Sequence, residues 1–88
     1  MNYKLAPTVL KRYEPELDTY YFYNAQKQIF WHCDYSMGEI ISCLDGNISL
    51  EEIIDVIVKN NPEISEESIK SKIEETFDFL YSEGYIVC

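Results

Sequence analysis

The hydrophobic period of this 88-residue chain changes once, at Asp34, from about two residues to about 3.6. That change constrains the fold more than any other feature, because a period of two lays side chains on alternate faces of a strand and a period of 3.6 gathers them on one stripe of a helix. Ahead of Asp34, Val9-Leu10-Lys11-Arg12-Tyr13 is short and bounded by Pro7 and Pro15, which suits a strand at an edge. Asp18 to Asn24 is aromatic almost throughout, as expected of a pleated surface buried in part on both sides. Ala25-Gln26-Lys27 then turns the chain into Gln28-Ile29-Phe30-Trp31-His32-Cys33. In that third strand Ile29, Trp31 and Cys33 share the more apolar face, predicted to meet the core, and Gln28, Phe30 and His32 share the other. The expectation is a three-stranded antiparallel meander.

Beyond Asp34 the apolar residues fall on helical stripes. Met37, Ile40, Ile41 and Leu44 follow the i, i+3, i+4, i+7 pattern, with Ser36 and Asp34 competing as N-cap. Asp45-Gly46 reads as a turn, and Ser49 with Glu52 as the capping box of a second helix that carries Leu50, Ile53, Ile54, Ile57 and Val58 and stops at Asn60-Asn61-Pro62. Ser65 caps a third, with Ile69, Ile73, Phe77 and Leu80 as its buried stripe and Gly84 as its end. Tyr85-Ile86-Val87 forms a short extended tail. Residues 1–88 therefore read as one α+β domain of winged-helix type, a three-stranded antiparallel sheet followed by a three-helix bundle.

Charge narrows the function. The net charge is −9, and residues 45–88 hold eleven acids against three bases, whereas residues 1–44 hold five against four. Nucleic acids and anionic membrane surfaces are both bound through Lys and Arg, so neither is an expected partner. The acidic half would steer a basic partner, or it simply keeps a small domain soluble. The N-terminus lacks the apolar run of a signal peptide and no segment approaches membrane-spanning length, so a cytoplasmic location is expected.

No catalytic constellation is legible. His32 is the one histidine, and Cys33 beside it on a strand points to the opposite face, which removes a Cys–His dyad. Cys33, Cys43 and Cys88 lack the spacing of a zinc site, and Cys33 and Cys43 read as small buried hydrophobes. Glu74, Glu75 and Asp78 read as a solvated helix face rather than an acid–base pair. The aromatic run from Tyr20 to Tyr35 could stack bases, but the basic groove of a single-strand binder is missing. No cofactor or metal is expected, and the chain is read as non-catalytic.

The run Cys33-Asp34-Tyr35-Ser36, the Ile40-Ile41 pair, Asp45-Gly46, Ser49-Leu50-Glu51-Glu52-Ile53, and the late Phe79-Leu80 followed by Gly84-Tyr85-Ile86 occur in an order that resembles the PqqD-like family. These are RiPP recognition elements, which hold the leader of a ribosomally made precursor peptide for a modifying enzyme. The resemblance spans roughly Val9 to Val87. It departs from the family where Cys33 and Asp34 replace the frequent leucine and asparagine, and where Met37-Gly38 replaces a small, alanine-rich helix start. The resemblance implies a leader peptide added as an antiparallel strand beside Gln28, Ile29, Phe30, Trp31, His32 and Cys33. It implies a second wall from the third helix, expected at Lys70, Ile73, Glu74, Phe77, Asp78 and Tyr81. It further implies a separate maturation enzyme as second partner: a radical-SAM enzyme, a cyclodehydratase or a leader peptidase. An exposed strand edge also leaves open pairing with a second copy of the chain. The rival readings are a protein–protein adaptor using the same edge and a winged-helix DNA-binding regulator. Against the latter stand strands that precede the helices and an acidic third helix.

Overall fold

The computed structural model describes residues 2–88. Its elements, in chain order, are β1 (Asn2–Leu5), β2 (Val9–Glu14), β3 (Thr19–Asn24), β4 (Ile29–Asp34), α1 (Tyr35–Ser42), β5 (Asp45–Ser49), α2 (Leu50–Asn60), α3 (Glu66–Ser82) and β6 (Ile86–Val87). The meander is present as an antiparallel sheet ordered β2-β3-β4. Its registers are continuous from Val9↔Asn24 to Glu14↔Thr19 and from Thr19↔Asp34 to Asn24↔Ile29.

A second antiparallel sheet, ordered β5-β1-β6, corrects the expected plan of one sheet followed by three helices. β1 is its centre: Lys4 pairs with Asp45 on one side and with Val87 on the other. Ala6 N–H extends the contact by donating to Tyr85 C=O at 3.0 Å. The helices are thus interrupted by β5 and followed by β6, and the domain is α+β with two small sheets. Asp45-Gly46 lies inside β5, where the register with β1 shifts between Asn2 and Lys4, rather than in a free turn.

The helix termini follow the capping chemistry. At α1 the competition is settled for Asp34, whose side chain accepts from Met37 N–H at 2.9 Å. Glu39 is thereby free of a capping box, and it accepts from Tyr20 and Tyr35 hydroxyls instead. At α2 the Ser49–Glu52 capping box closes in both directions, and at α3 Ser65 accepts from Ser68 N–H. α3 ends in a Schellman arrangement: Tyr85 N–H donates to Leu80 C=O at 2.9 Å and Gly84 N–H to Tyr81 C=O at 3.1 Å. Gly84 has φ +78°, which only glycine adopts without strain.

Between the layers lies one core. Phe22, Ile41, Phe77, Leu80, Tyr85 and Ile86 are fully enclosed, joined by Ile53, Ile54, Ile69 and Ile73. The predicted stripe of α3 is buried in full. Gly38 lets α1 sit flat on β3, since a Cβ there would overlap the Tyr20 side chain, reaching within 2.6 Å of its Cβ. Of the two cysteines expected inside, Cys33 is half-buried and Cys43 is exposed. Cys43 is the C-cap of α1, and it turns away from the core that its neighbours Ile41 and Leu44 enter.

Among the described residues, Asn24 is the one polar residue that is buried as a whole. Its Oδ1 accepts from Gln26 and Lys27 N–H at 3.1 and 3.3 Å, and its Nδ2 donates to Glu83 C=O at 2.8 Å. It therefore orders the β3–β4 turn and ties that turn to the end of α3. Asn24→Ala is expected to lower unfolding stability by about 1–3 kcal/mol, the cost of leaving buried partners unpaired. Asn24→Asp keeps the turn acceptor but loses the donor to Glu83, and is expected to destabilise as well. Urea denaturation monitored by circular dichroism checks both.

Candidate functional site

The site is built on β4, whose outer side has no partner strand. Ala25 N–H donates to Thr8 C=O at 3.3 Å and Gln28 N–H to Asn24 C=O at 2.7 Å. The alternation of an antiparallel ladder then turns Tyr21 and Tyr23 toward β2, and Tyr20, Phe22 and Asn24 toward β4. Their partners Cys33, Trp31 and Ile29 spend their backbone groups on β3. Phe30 and His32 consequently direct their N–H and C=O groups outward, as unmet hydrogen-bonding groups along an open edge.

The side chains of β4 alternate as the sequence predicts. Ile29, Trp31 and Cys33 are half-buried, and Phe30, His32 and Asp34 are exposed. Phe30 is 71% exposed. It rests on Tyr23 with ring centroids 4.8 Å apart, and His32 lies 5.9 Å from the Tyr21 ring. On the opposite face Trp31 packs at 5.7 Å on Phe22, which holds its ring at the margin of the core.

Beside this edge runs a groove of about 520 Å³. Trp31, Cys33 and Met37 supply its apolar surface from the β4–α1 side. Lys72, Glu75, Thr76 and Phe79 form its α3 wall. The spacing of those four, i, i+3, i+4, i+7, is one stripe of the helix. Phe79 is largely exposed there, and Lys72 and Glu75 put one charge of each sign on the wall.

This α3 wall differs from the expected one. Ile73 and Phe77 are buried in the core and offer no surface. Lys70, Glu74 and Asp78 line a shallow depression with Glu67 and Ser71 on another side of the helix. Tyr81 turns toward Tyr3 of β1, ring centroids 5.9 Å apart. At roughly 100° per residue, the buried stripe of a helix has a flank on each side, and the expected set lies on the flank away from β4. Of the expected strand residues, Trp31, His32 and Cys33 line the groove, Phe30 lines a depression on the outer face of the sheet with Tyr21 and Tyr23, Ile29 begins β4, and Gln28 lies in the turn before it. Lys72, Thr76 and Phe79, which line the groove from α3, are not among the expected residues, and a phenylalanine within an otherwise polar helical stripe is the one sequence signal for them.

Burial, with Asp34 alongside, pushes the Cys33 thiol up to about 12. A thiol so raised keeps its proton at neutral pH and serves as groove surface rather than as a nucleophile. Among the described residues, no three His, Cys, Asp or Glu side chains converge as a metal would require, and no helix is long and apolar enough to cross a membrane.

The β2-β3-β4 sheet thus leaves the outer edge of β4 unpaired beside a groove whose other wall is α3. No protein-family model matches the sequence, and no curated protein matches it. Among solved structures the fold is similar to that of TbiB1, determined in complex with the TbiA(beta) leader peptide. The match has a TM-score of 0.76 over 94% of this chain and 93% of that one, at 17% identity. At that identity the likeness is one of fold.

Iodoacetamide at pH 8 is expected to modify exposed Cys43 at least about tenfold faster than Cys33, because alkylation requires the thiolate. The Cys33 rate should climb steeply as pH rises toward 12. Mass-spectrometric mapping of the cysteine-bearing fragments over time checks the order.

Proposed function

We propose that this domain is a non-catalytic leader-binding element: it takes an extended stretch of a precursor peptide onto β4 as a fourth strand and presents it to a separate maturation enzyme. The observation that carries this reading is the coincidence of an unpaired strand edge with an apolar groove along its length. A strand added to β4 would satisfy the outward groups of Phe30 and His32, and alternate peptide side chains would reach the groove. Trp31, Met37 and Phe79 suit apolar side chains at every second position, and Lys72 with Glu75 suits a polar or charged residue between them. The leader peptide bound to TbiB1, a protein of the same fold, supports the choice of ligand. We take the α3 contribution to be Lys72, Glu75, Thr76 and Phe79 in place of Lys70, Ile73, Glu74, Phe77, Asp78 and Tyr81.

A DNA-binding role is disfavoured by the same surface. α3 opens with Glu66 and Glu67 and carries no base in its last turn, so it would bring carboxylates to a phosphate backbone. Under this reading the domain works in the cytoplasm, and its partner enzyme is a radical-SAM protein, a cyclodehydratase or a leader peptidase.

Trp31 is the single tryptophan and lines the groove, so titration with a synthetic leader from a precursor encoded beside the gene should change its emission, with saturation in the micromolar range or below. Phe30→Pro removes an outward N–H without breaking a β3 pair, and is expected to leave the domain folded and abolish the change. Trp31→Pro removes a ladder bond and should unfold it. A folded Phe30→Pro variant that binds the leader as the parent does would refute the strand-addition site. Phe79→Ala is expected to weaken binding by roughly 1–2 kcal/mol, through lost apolar contact in the groove.

A further inference from the structure

A second apolar groove, of about 390 Å³, lies on another side of α1. Ile40 and Leu44 of the α1 segment, Ile48 of β5 and Ile53, Val56 and Ile57 of α2 line it. Ile48 is 44% exposed and Val56 57% exposed, so apolar surface faces water here across three elements. No residue lines both this groove and the one beside β4. Met37 of α1 serves one, and Ile40, about a sixth of a turn around the helix, serves the other with the C-cap residue Cys43. Both grooves can therefore be occupied at once.

Charge decides among occupants. Glu39 and Glu52 are the charged residues lining the groove, and no lysine or arginine lines it. A second copy seated symmetrically here would gather four carboxylates and no lining cation into one interface, between two chains of net charge −9. An anionic lipid surface meets the same repulsion. An apolar protein segment flanked by Lys or Arg meets neither, and fills the groove while its cations approach the rim.

We propose that this groove is the docking site for the maturation enzyme, engaged through an apolar segment with basic flanks, so that enzyme and leader sit on one domain together. The proposal rests on the leader-binding reading for the identity of the partner, and its test separates the two.

The domain is titrated separately with the synthetic leader and with the modifying enzyme encoded beside its gene, as the parent protein and as Val56→Lys and Ile48→Lys. Lysine is a better helix former than valine, and circular dichroism verifies folding of each variant. Val56→Lys and Ile48→Lys are expected to leave leader affinity within about twofold and to weaken enzyme binding at least about tenfold, ~1.4 kcal/mol. Parent affinity for the enzyme should also fall as salt is raised, as charge pairing across the rim requires. Unchanged enzyme affinity in both folded variants, or no enzyme binding by the parent, overturns the docking site and leaves the leader reading intact. Enzyme binding that is lost in the variants, with no leader binding by the parent, overturns the leader reading instead. Equal loss of leader and enzyme affinity overturns the independence of the two grooves, and with it the proposal.

Discussion

The Asn24 side chain is the hinge on which the geometry of the site depends. One wall of the β4 groove begins at the turn that Asn24 orders, and the other belongs to the helix whose last carbonyls it holds through Glu83. Lys27 reinforces the same junction by donating to Ser82 C=O at 3.3 Å and pairing with Glu83 at 3.5 Å. Buried donors and acceptors are costly unless they are matched. A polar residue in this position therefore fixes the spacing of the two walls more sharply than apolar packing, which tolerates sliding. Gly84 allows the close approach: a Cβ there would stand 3.2 Å from Asn24 Nδ2.

An open strand edge is ordinarily a hazard, and the chain limits it. β4 is six residues long, its end is capped into a helix by Asp34, and a net charge of −9 sets copies of the domain against one another. What stays available is a short row of outward backbone groups at Phe30 and His32, flanked by aromatic surface. Recognition through a backbone edge is undemanding of the partner's sequence. Under the proposed function, selectivity would come from side chains at the groove, where the fold places Trp31, Met37 and Phe79 with Lys72 and Glu75.

Local signals were legible wherever a local cause produced them. The Ser49 and Ser65 caps, the stop at Asn61-Pro62, the buried stripe of α3 and the alternation of β4 all follow from spacing within a few residues. β1 and β6 were not legible as a sheet, because four residues and two residues carry too little pattern and become strands only by pairing across more than eighty positions of sequence. The choice of N-cap at α1 was open in the sequence. In the fold Asp34 caps the helix, and Glu39 accepts instead from Tyr35 within the helix and from Tyr20 of β3, a partner the local sequence does not announce.

The binding wall shows the same division. From sequence alone come the strand with an apolar and a polar face, the acidic helical half, the absence of a catalytic set and the order of motifs that resembles a leader-binding family. Which flank of α3 meets that strand belongs to the tertiary structure. A stripe such as Ile69, Ile73, Phe77 and Leu80 fixes the side of the helix that is buried, and both neighbouring flanks are then equally polar in pattern. Only the packing of Tyr81 against Tyr3 on one side, and the groove that Phe79 shares with Trp31 and Met37 on the other, distinguish the flank facing β1 from the one facing β4. Periodicity encodes burial relative to the helix axis. It carries no information about which neighbour stands on either side.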